Sequence, residues 1–238
     1  LFVERYRAPF DFDSVLSWLG ARAIPGVETA VDNTYRRGRV RIWHEGDTVH
    51  ATAHRQKVRR LFDLDADPAL IARTFTRDRM LAPLLRRRPG IRVPGAWDAF
   101  ELAVRAIVGQ QVSVAGARTI LGRIAAAHGG FIPERLADAN IEGMPRKRAE
   151  TIRIVARAVA AGELALEDAN IGALTALPGI GPWTANYIAM RLGDADAFPA
   201  GDLVLRRHAG DLTEKELLRR AEAWRPFRAY AAMLLWTR

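Results

Sequence analysis

Asp202 stands about twenty residues behind the run Leu177-Pro178-Gly179-Ile180-Gly181-Pro182-Trp183-Thr184-Ala185. Two prolines and two glycines within five positions forbid a continuous helix. They force a turn between a short helix ending near Leu177 and another starting near Trp183. Backbone N–H groups at such a helix start have no intrahelical partner, and the helix dipole favours an anion there. The turn can therefore hold a phosphate, with glycine letting the nucleic-acid backbone approach and Thr184 adding a hydroxyl contact. Asp202 follows the loop Phe198-Pro199-Ala200-Gly201. A carboxylate held near a sugar can stabilise positive charge developing on it. Each element also has a plainer reading. The Gly/Pro run fits an ordinary packing joint, and Asp202 fits an N-cap, for which Asp is among the best residues.

These residues must be positioned by the rest of the chain. Arg39-Val40-Arg41-Ile42-Trp43-His44 alternates, Glu45-Gly46-Asp47 reads as a turn, and Thr48–His54 alternates again. Arg37-Gly38 turns back to an earlier strand near Thr29–Tyr35, and Phe12–Ala23 reads as a helix. Asp67 with Pro68 starts the helical part, as cap and first residue. Asp98 opens a helix whose Phe100, Val104, Ile107 and Val108 share one side. Ser113 caps the next helix, and Gly129-Gly130 stops it. Further helices are expected over Lys147–Ala161, Ile171–Ala176, Trp183–Leu192, Leu203–Arg207 and Glu214–Trp236. The class is α+β, a small antiparallel sheet unit followed by a mostly helical body.

Composition narrows the chemistry. The net charge is +9, the pI about 10.8, and nearly all the excess is arginine. That favours a polyanionic partner, although arginine enrichment also follows from a GC-rich genome. There is no cysteine, so disulfides, thiolate nucleophiles and cysteine-ligated zinc or iron–sulfur clusters are excluded. The five histidines show no metal spacing. No apolar stretch approaches the roughly 18 residues of a membrane span. A soluble, cytoplasmic, nucleoid-associated monomer without a membrane partner is expected.

The Leu-Pro-Gly-Ile-Gly core resembles the helix-hairpin-helix motif of DNA repair proteins. With the Gly/Pro loop and Asp202 it resembles the signature of a DNA glycosylase superfamily. Longer strings extend the likeness over nearly the whole chain. They are Ser17-Trp18-Leu19-Gly20-Ala21-Arg22-Ala23, Pro94-Gly95-Ala96-Trp97-Asp98-Ala99-Phe100-Glu101, Arg105–Ala115, Gly143–Glu150 and Ala221–Ala231. All resemble the bacterial AlkA-type 3-methyladenine DNA glycosylases.

That resemblance implies an N-terminal TBP-like antiparallel β-sheet unit (1–74) and two mostly α-helical subdomains. One spans 99–195 and carries the helix-hairpin-helix; the other combines 75–98 with 196–238. It also implies excision of alkylated bases, 3-methyladenine and related lesions, from double-stranded DNA by base flipping. Asp202 takes the position of the catalytic carboxylate. Trp18, Trp183, Tyr187, Leu203 and Trp236 would line the base pocket, where rings could hold a cationic base by cation–π attraction of about 0.5–2 kcal/mol each. Trp43, Trp97 and Trp224 are expected to serve packing instead. Gly179, Gly181 and Thr184 would meet DNA, with Arg118, Arg146, Lys147, Arg148 and Arg206 as further phosphate contacts. No cofactor is required, although the carbonyls of Thr175, Leu177 and Ile180 match the family's site for Na⁺ or K⁺. Related glycosylase-lyases carry a Lys where this chain has Trp183, so strand cleavage by a Schiff base is not expected.

Two positions depart from the family pattern. Gln111 stands where an apolar wedge fills the gap left by the flipped base. Leu203 replaces a common Tyr after the aspartate, which would widen the pocket. Rival readings are a non-catalytic DNA-binding module, a glycosylase for oxidised or deaminated bases, and an Arg-rich RNA binder. Release of the base separates the first, and a lesion panel the second. The third lacks the aromatic platform strings of common RNA modules.

Overall fold

The computed structural model describes residues 1–168 and 170–238. The chain opens with β1 (Phe2–Arg5), then helix α1 (Phe12–Ala21), and strands β2 (Glu28–Val31), β3 (Thr34–Arg37), β4 (Val40–Glu45) and β5 (Thr48–Ala51). The sheet order is β1-β5-β4-β3-β2, antiparallel throughout. The strand expected near Thr29–Tyr35 is two strands. Asp32 and Asn33 turn the chain with φ of 49° and 56°, the left-handed geometry that short Asx-type side chains tolerate. Strand β1 completes the edge without having signalled itself; it is four residues long with one buried position, Glu4. Alternation puts Tyr35, Val40, Ile42, Val49 and Ala51 on the inner face, where they share a buried core with Phe12, Val15, Leu16 and Leu19 of α1.

The helical body follows as α2 (Arg55–Leu61), α3 (Pro68–Phe75), α4 (Leu81–Arg87), α5 (Ala99–Val108), α6 (Val114–His128), α7 (Pro133–Leu136), α8 (Arg146–Ala160), α9 (Ile171–Thr175), α10 (Pro182–Leu192), α11 (Leu203–His208), α12 (Glu214–Ala221) and α13 (Arg228–Trp236). Asp67, Asp98 and Ser113 cap their helices with side-chain oxygens, and Gly129 ends α6 in the left-handed conformation. The single helix expected over Glu214–Trp236 is two, joined by a short 3-10 turn (Glu222–Trp224). Pro226 has no N–H and keeps Arg225 extended, so the ladder cannot continue.

Among the described residues the buried apolar side chains form two clusters. One joins the sheet and α1 to α3, α4 and α11–α13; the other fills the space among α5, α6, α8 and α10. Buried polar groups stitch the units together. Asp63, at φ 51°, accepts on one oxygen from Val93 N (3.0 Å) and Tyr230 Oη (2.8 Å). Glu28 and Glu101 meet Arg37 and Arg105 in an ion-pair quartet that ties the sheet to α5.

Candidate active site

Asp202 is the N-cap of α11: its Oδ1 accepts from Val204 N and Leu205 N, both at 2.9 Å. The capping reading is therefore correct, and it accounts for only part of the carboxylate. Trp236 Nε1, from α13, donates to the same Oδ1 at 3.0 Å, and Trp183 Nε1, from the first turn of α10, donates to Oδ2 at 3.1 Å. Four donors from three helices fix the group in one orientation. It remains half-buried at the edge of a cavity of about 460 Å³.

The aromatic wall forms on the same scaffold. Trp183 and Tyr187, one helical turn apart on α10, stack with centroids 5.5 Å apart and planes 10° from parallel. Trp236 meets Tyr187 edge-on at 6.2 Å. Trp18 from α1 also lines the cavity. It does not offer an open ring to a cationic base, because the guanidiniums of Arg22 and Arg191 lie over it at 3.9 and 4.2 Å from the centroid. Arg191 is itself buried; it donates to Tyr187 Oη (2.9 Å), to Gly95 O (2.6 Å) and to Pro94 O. Burial would raise the Tyr187 hydroxyl, but the Arg191 and Arg22 charges hold it below the ordinary phenol value.

Further carboxylates line the cavity, Glu28, Glu101 and Asp98. Glu28 accepts from Tyr35 Oη, Arg37 and Arg105. Burial alone would raise the Glu101 carboxyl, yet Arg105 and Arg37 hold it below the usual carboxylate range. Glu101 is therefore ionised near neutral pH and has no proton to give in the manner of a general acid. Asp98 is engaged at Glu101 N (2.8 Å) as the cap of α5.

Among the described residues, the N–H groups of Gly179, Gly181 and Trp183 in the hairpin between α9 and α10 donate to no acceptor. Helix α10 starts at Gly181 and Pro182 with no side-chain cap, whereas α1, α3, α5, α6, α9, α11 and α12 all have one. The two glycines differ. Gly179 has φ +86°, and a Cβ there would fall 1.9 Å from Thr151 Oγ1 of α8; at Gly181 a Cβ would meet nothing within 4 Å. Only Gly181 leaves an open approach; Gly179 is required by packing.

Several expected contacts are corrected. Thr184 is buried (2% exposed), and its Oγ1 accepts from Gln110 Nε2 at 2.9 Å, so it does not face a phosphate. Arg118, which also lines the cavity, and Arg206 each commit only the Nε–H to the protein among the described residues, to Ala23 O and Leu212 O, so these two expected contacts are not overturned. Arg146 and Lys147 are exposed at the uncapped start of α8, in the helix whose Thr151 abuts Gly179. Leu203 is 54% exposed and does not line the cavity; its neighbour Val204 does, because the cap turns position 203 outward. Trp97, expected only to pack, also lines the cavity.

Gln111 is exposed with φ +54°. The turn after α5 lifts it clear of the helix's buried side. Gln110 anchors that turn to the hairpin through Thr184 Oγ1 and Gly179 O (3.1 Å). Gln110, Arg22 and Arg191 carry no signal of their own in the sequence. The first two sat inside strings already singled out, but only the tertiary contacts distinguish them.

Comparison with known proteins defines the fold and the family. The chain superposes on the 3-methyladenine DNA-glycosylase of Archaeoglobus fulgidus with TM-score 0.83 at 22% identity, covering 99% of this chain and 97% of that one, which defines the fold. The AlkA N-terminal domain matches residues 3–56 and 39–98. The Escherichia coli K12 protein named "DNA-3-methyladenine glycosylase 2" is 33% identical over 99% of this chain and 96% of its own length. The chain belongs to the AlkA family of DNA-3-methyladenine glycosylases. A Mycobacterium tuberculosis relative named "Probable bifunctional transcriptional activator/DNA repair enzyme AlkA" is 38% identical over 97% of this chain, which spans about half (55%) of that protein.

Proposed function

We propose that the protein is a monofunctional DNA glycosylase that binds duplex DNA, extrudes an alkylated base and hydrolyses its N-glycosidic bond. The observation that carries this reading is the Asp202 carboxylate held by two backbone and two indole N–H groups at an aromatic cavity. The uncapped start of α10 takes the DNA phosphate, with Arg146 and Lys147 beside it. Gln111, on its anchored turn, enters the space the base leaves. The base enters between Trp183, Tyr187 and Trp236.

As the glycosidic bond breaks, its electron pair leaves with the base and positive charge grows on the deoxyribose, where Asp202 stabilises it; water then bonds to the anomeric carbon and gives its proton to solvent. Glu101 is kept ionised by Arg105 and Arg37, and Glu28 is engaged by the same two arginines, so in this proposal the base departs without a protein acid. A base made cationic by alkylation does so readily. Trp183, standing where a lyase carries its amine, supports hydrolysis without strand cleavage. The carbonyls of Thr175 and Ile180 accept no hydrogen bond among the described residues, and Leu177 O accepts only from Ile180 N (3.1 Å). These three fit a structural Na⁺ or K⁺, which takes no part in the chemistry.

The test is release of N3-methyladenine from alkylated duplex by wild type and Asp202→Asn. Asn caps a helix as well as Asp, and its carbonyl can keep the three bonds to Oδ1. A charge pair at about 4 Å and effective dielectric 20 is worth about 4 kcal/mol. Release should therefore fall about 10³-fold with duplex binding retained and no strand nicked by the wild type. Full activity in the variant would sink the mechanism.

A further inference from the structure

The outer face of the N-terminal sheet has no role in the site above. Its inner face is closed by α1, which carries Trp18, so the outer face points away from the base cavity. Strand register places Val3, His50, Trp43, Thr34 and Val31 in one row straight across all five strands. Trp43 and His50 are half-buried and stack at 5.3 Å and 20°; the exposed Arg41 guanidinium lies 5.6 Å from the Trp43 centroid, where an arriving base would displace it, and Val3 and Val31 are 48% and 54% exposed at the two ends.

Arginines flank the row on both sides. Arg36 and Arg41 are direct cross-strand partners on one side, and Arg5 lies on the other. All three are exposed, and none makes an ion pair among the described residues. The carboxylate on this face, Glu45, is 3.9 Å from His50. Directly opposed like charges destabilise a sheet. A polyanion lying over them would relieve that cost.

We infer that this face is a second nucleic-acid surface, binding a single-stranded segment with bases on the Trp43–His50 row and phosphates on Arg36, Arg41 and Arg5. Aromatic rows between basic residues suit single strands because every base presents a ring face. A duplex hides its rings, and an acidic peptide would leave the aromatic row unused. The surface is separate from the hairpin, so one protein could hold damaged duplex at α10 and a second strand on the sheet.

The experiment measures anisotropy of a labelled, lesion-free oligothymidylate of about 16 nucleotides against salt concentration. Arg36→Gln/Arg41→Gln should flatten the slope of log affinity against log salt by about 1.4, since each phosphate neutralised on a single strand contributes about 0.7. Trp43→Leu should weaken binding about tenfold with the slope unchanged. Both variants should release N3-methyladenine from duplex at the wild-type rate. An unchanged slope and affinity in both variants would overturn the inference. So would a slope that falls for Arg146→Gln but not for Arg36→Gln/Arg41→Gln, placing the strand at the hairpin. A wild type that sediments as a dimer, and becomes monomeric in Arg36→Gln/Arg41→Gln with oligothymidylate affinity intact, would assign the face to a second copy and overturn it too. Failure of base release in the wild type would refute the proposed function and leave this binding result standing.

Discussion

Replacing Gly179 or Gly181 by alanine should separate what each hairpin glycine is for. At Gly179 alanine must adopt φ +86°, which costs a residue with a Cβ about 1–2 kcal/mol. Its Cβ would also lie 1.9 Å from Thr151 Oγ1 and 3.0 Å from Thr151 Cβ and Cγ2. Forcing atoms into a packed site adds about 1–3 kcal/mol. The sum, about 2–5 kcal/mol, is a large share of the roughly 5–15 kcal/mol that holds a domain folded. Thr151→Ala removes Oγ1 and Cγ2, so the double variant should recover the packing share and retain the backbone share. The double-mutant cycle should give a coupling of about 1–3 kcal/mol. Gly181 has φ −85° and open space around its Cβ. Gly181→Ala should change stability by no more than about 1 kcal/mol, yet weaken duplex binding if the hairpin takes the phosphate as proposed, because the new methyl would stand on the open approach to its N–H groups. Urea denaturation and duplex affinity on the five proteins decide it. Additive effects at 151 and 179, with coupling below about 0.5 kcal/mol, would refute the packing argument. Equal destabilisation by both glycine changes would refute the division of labour.

Two further outcomes follow from buried polar contacts. Gln110→Leu removes both bonds that tie the Gln111 turn to the hairpin, each worth about 0.5–1.5 kcal/mol; hydrogen exchange at the turn should quicken and base release should slow, while release at the wild-type rate would show that the anchor is idle. Burial, opposed by the Val93 and Tyr230 hydrogen bonds and by Arg92, raises the Asp63 carboxyl from 3.8 to about 6. The folded protein therefore holds this proton where the unfolded chain has lost it. The stabilisation is fully present below the unfolded value and is lost as pH rises through about 6, about 3 kcal/mol in all and roughly half of that between about pH 5 and 8. Asp63→Asn can keep both bonds on its carbonyl oxygen, so it should flatten stability against pH over that window in chemical denaturation. An unchanged pH slope would show that Asp63 titrates normally.

The sequence by itself determined the local events. Alternation marked β4 and β5, caps marked the starts of α3, α5 and α6, and Gly/Pro punctuation marked the hairpin, because each is written within a few consecutive residues. It also singled out Asp202 and, through the family likeness, the rings around it. Where a short strand or a prolyl break carried little pattern, as at β1 or Arg225-Pro226, it fell short. Only the tertiary structure decided how those residues act together. Trp183 and Trp236 are far apart in the chain, yet their indole N–H groups meet on one carboxylate. Thr184 turned inward to hold Gln110, Gly179 proved to be a packing requirement, and the cap on α11 turned Leu203 out while Val204 lined the cavity. Arg22, one helical turn on, and Arg191, brought by α10 from far along the chain, both covered Trp18. Residue type and spacing state which chemistry is available. Direction, burial and partner depend on contacts between segments that no local pattern encodes.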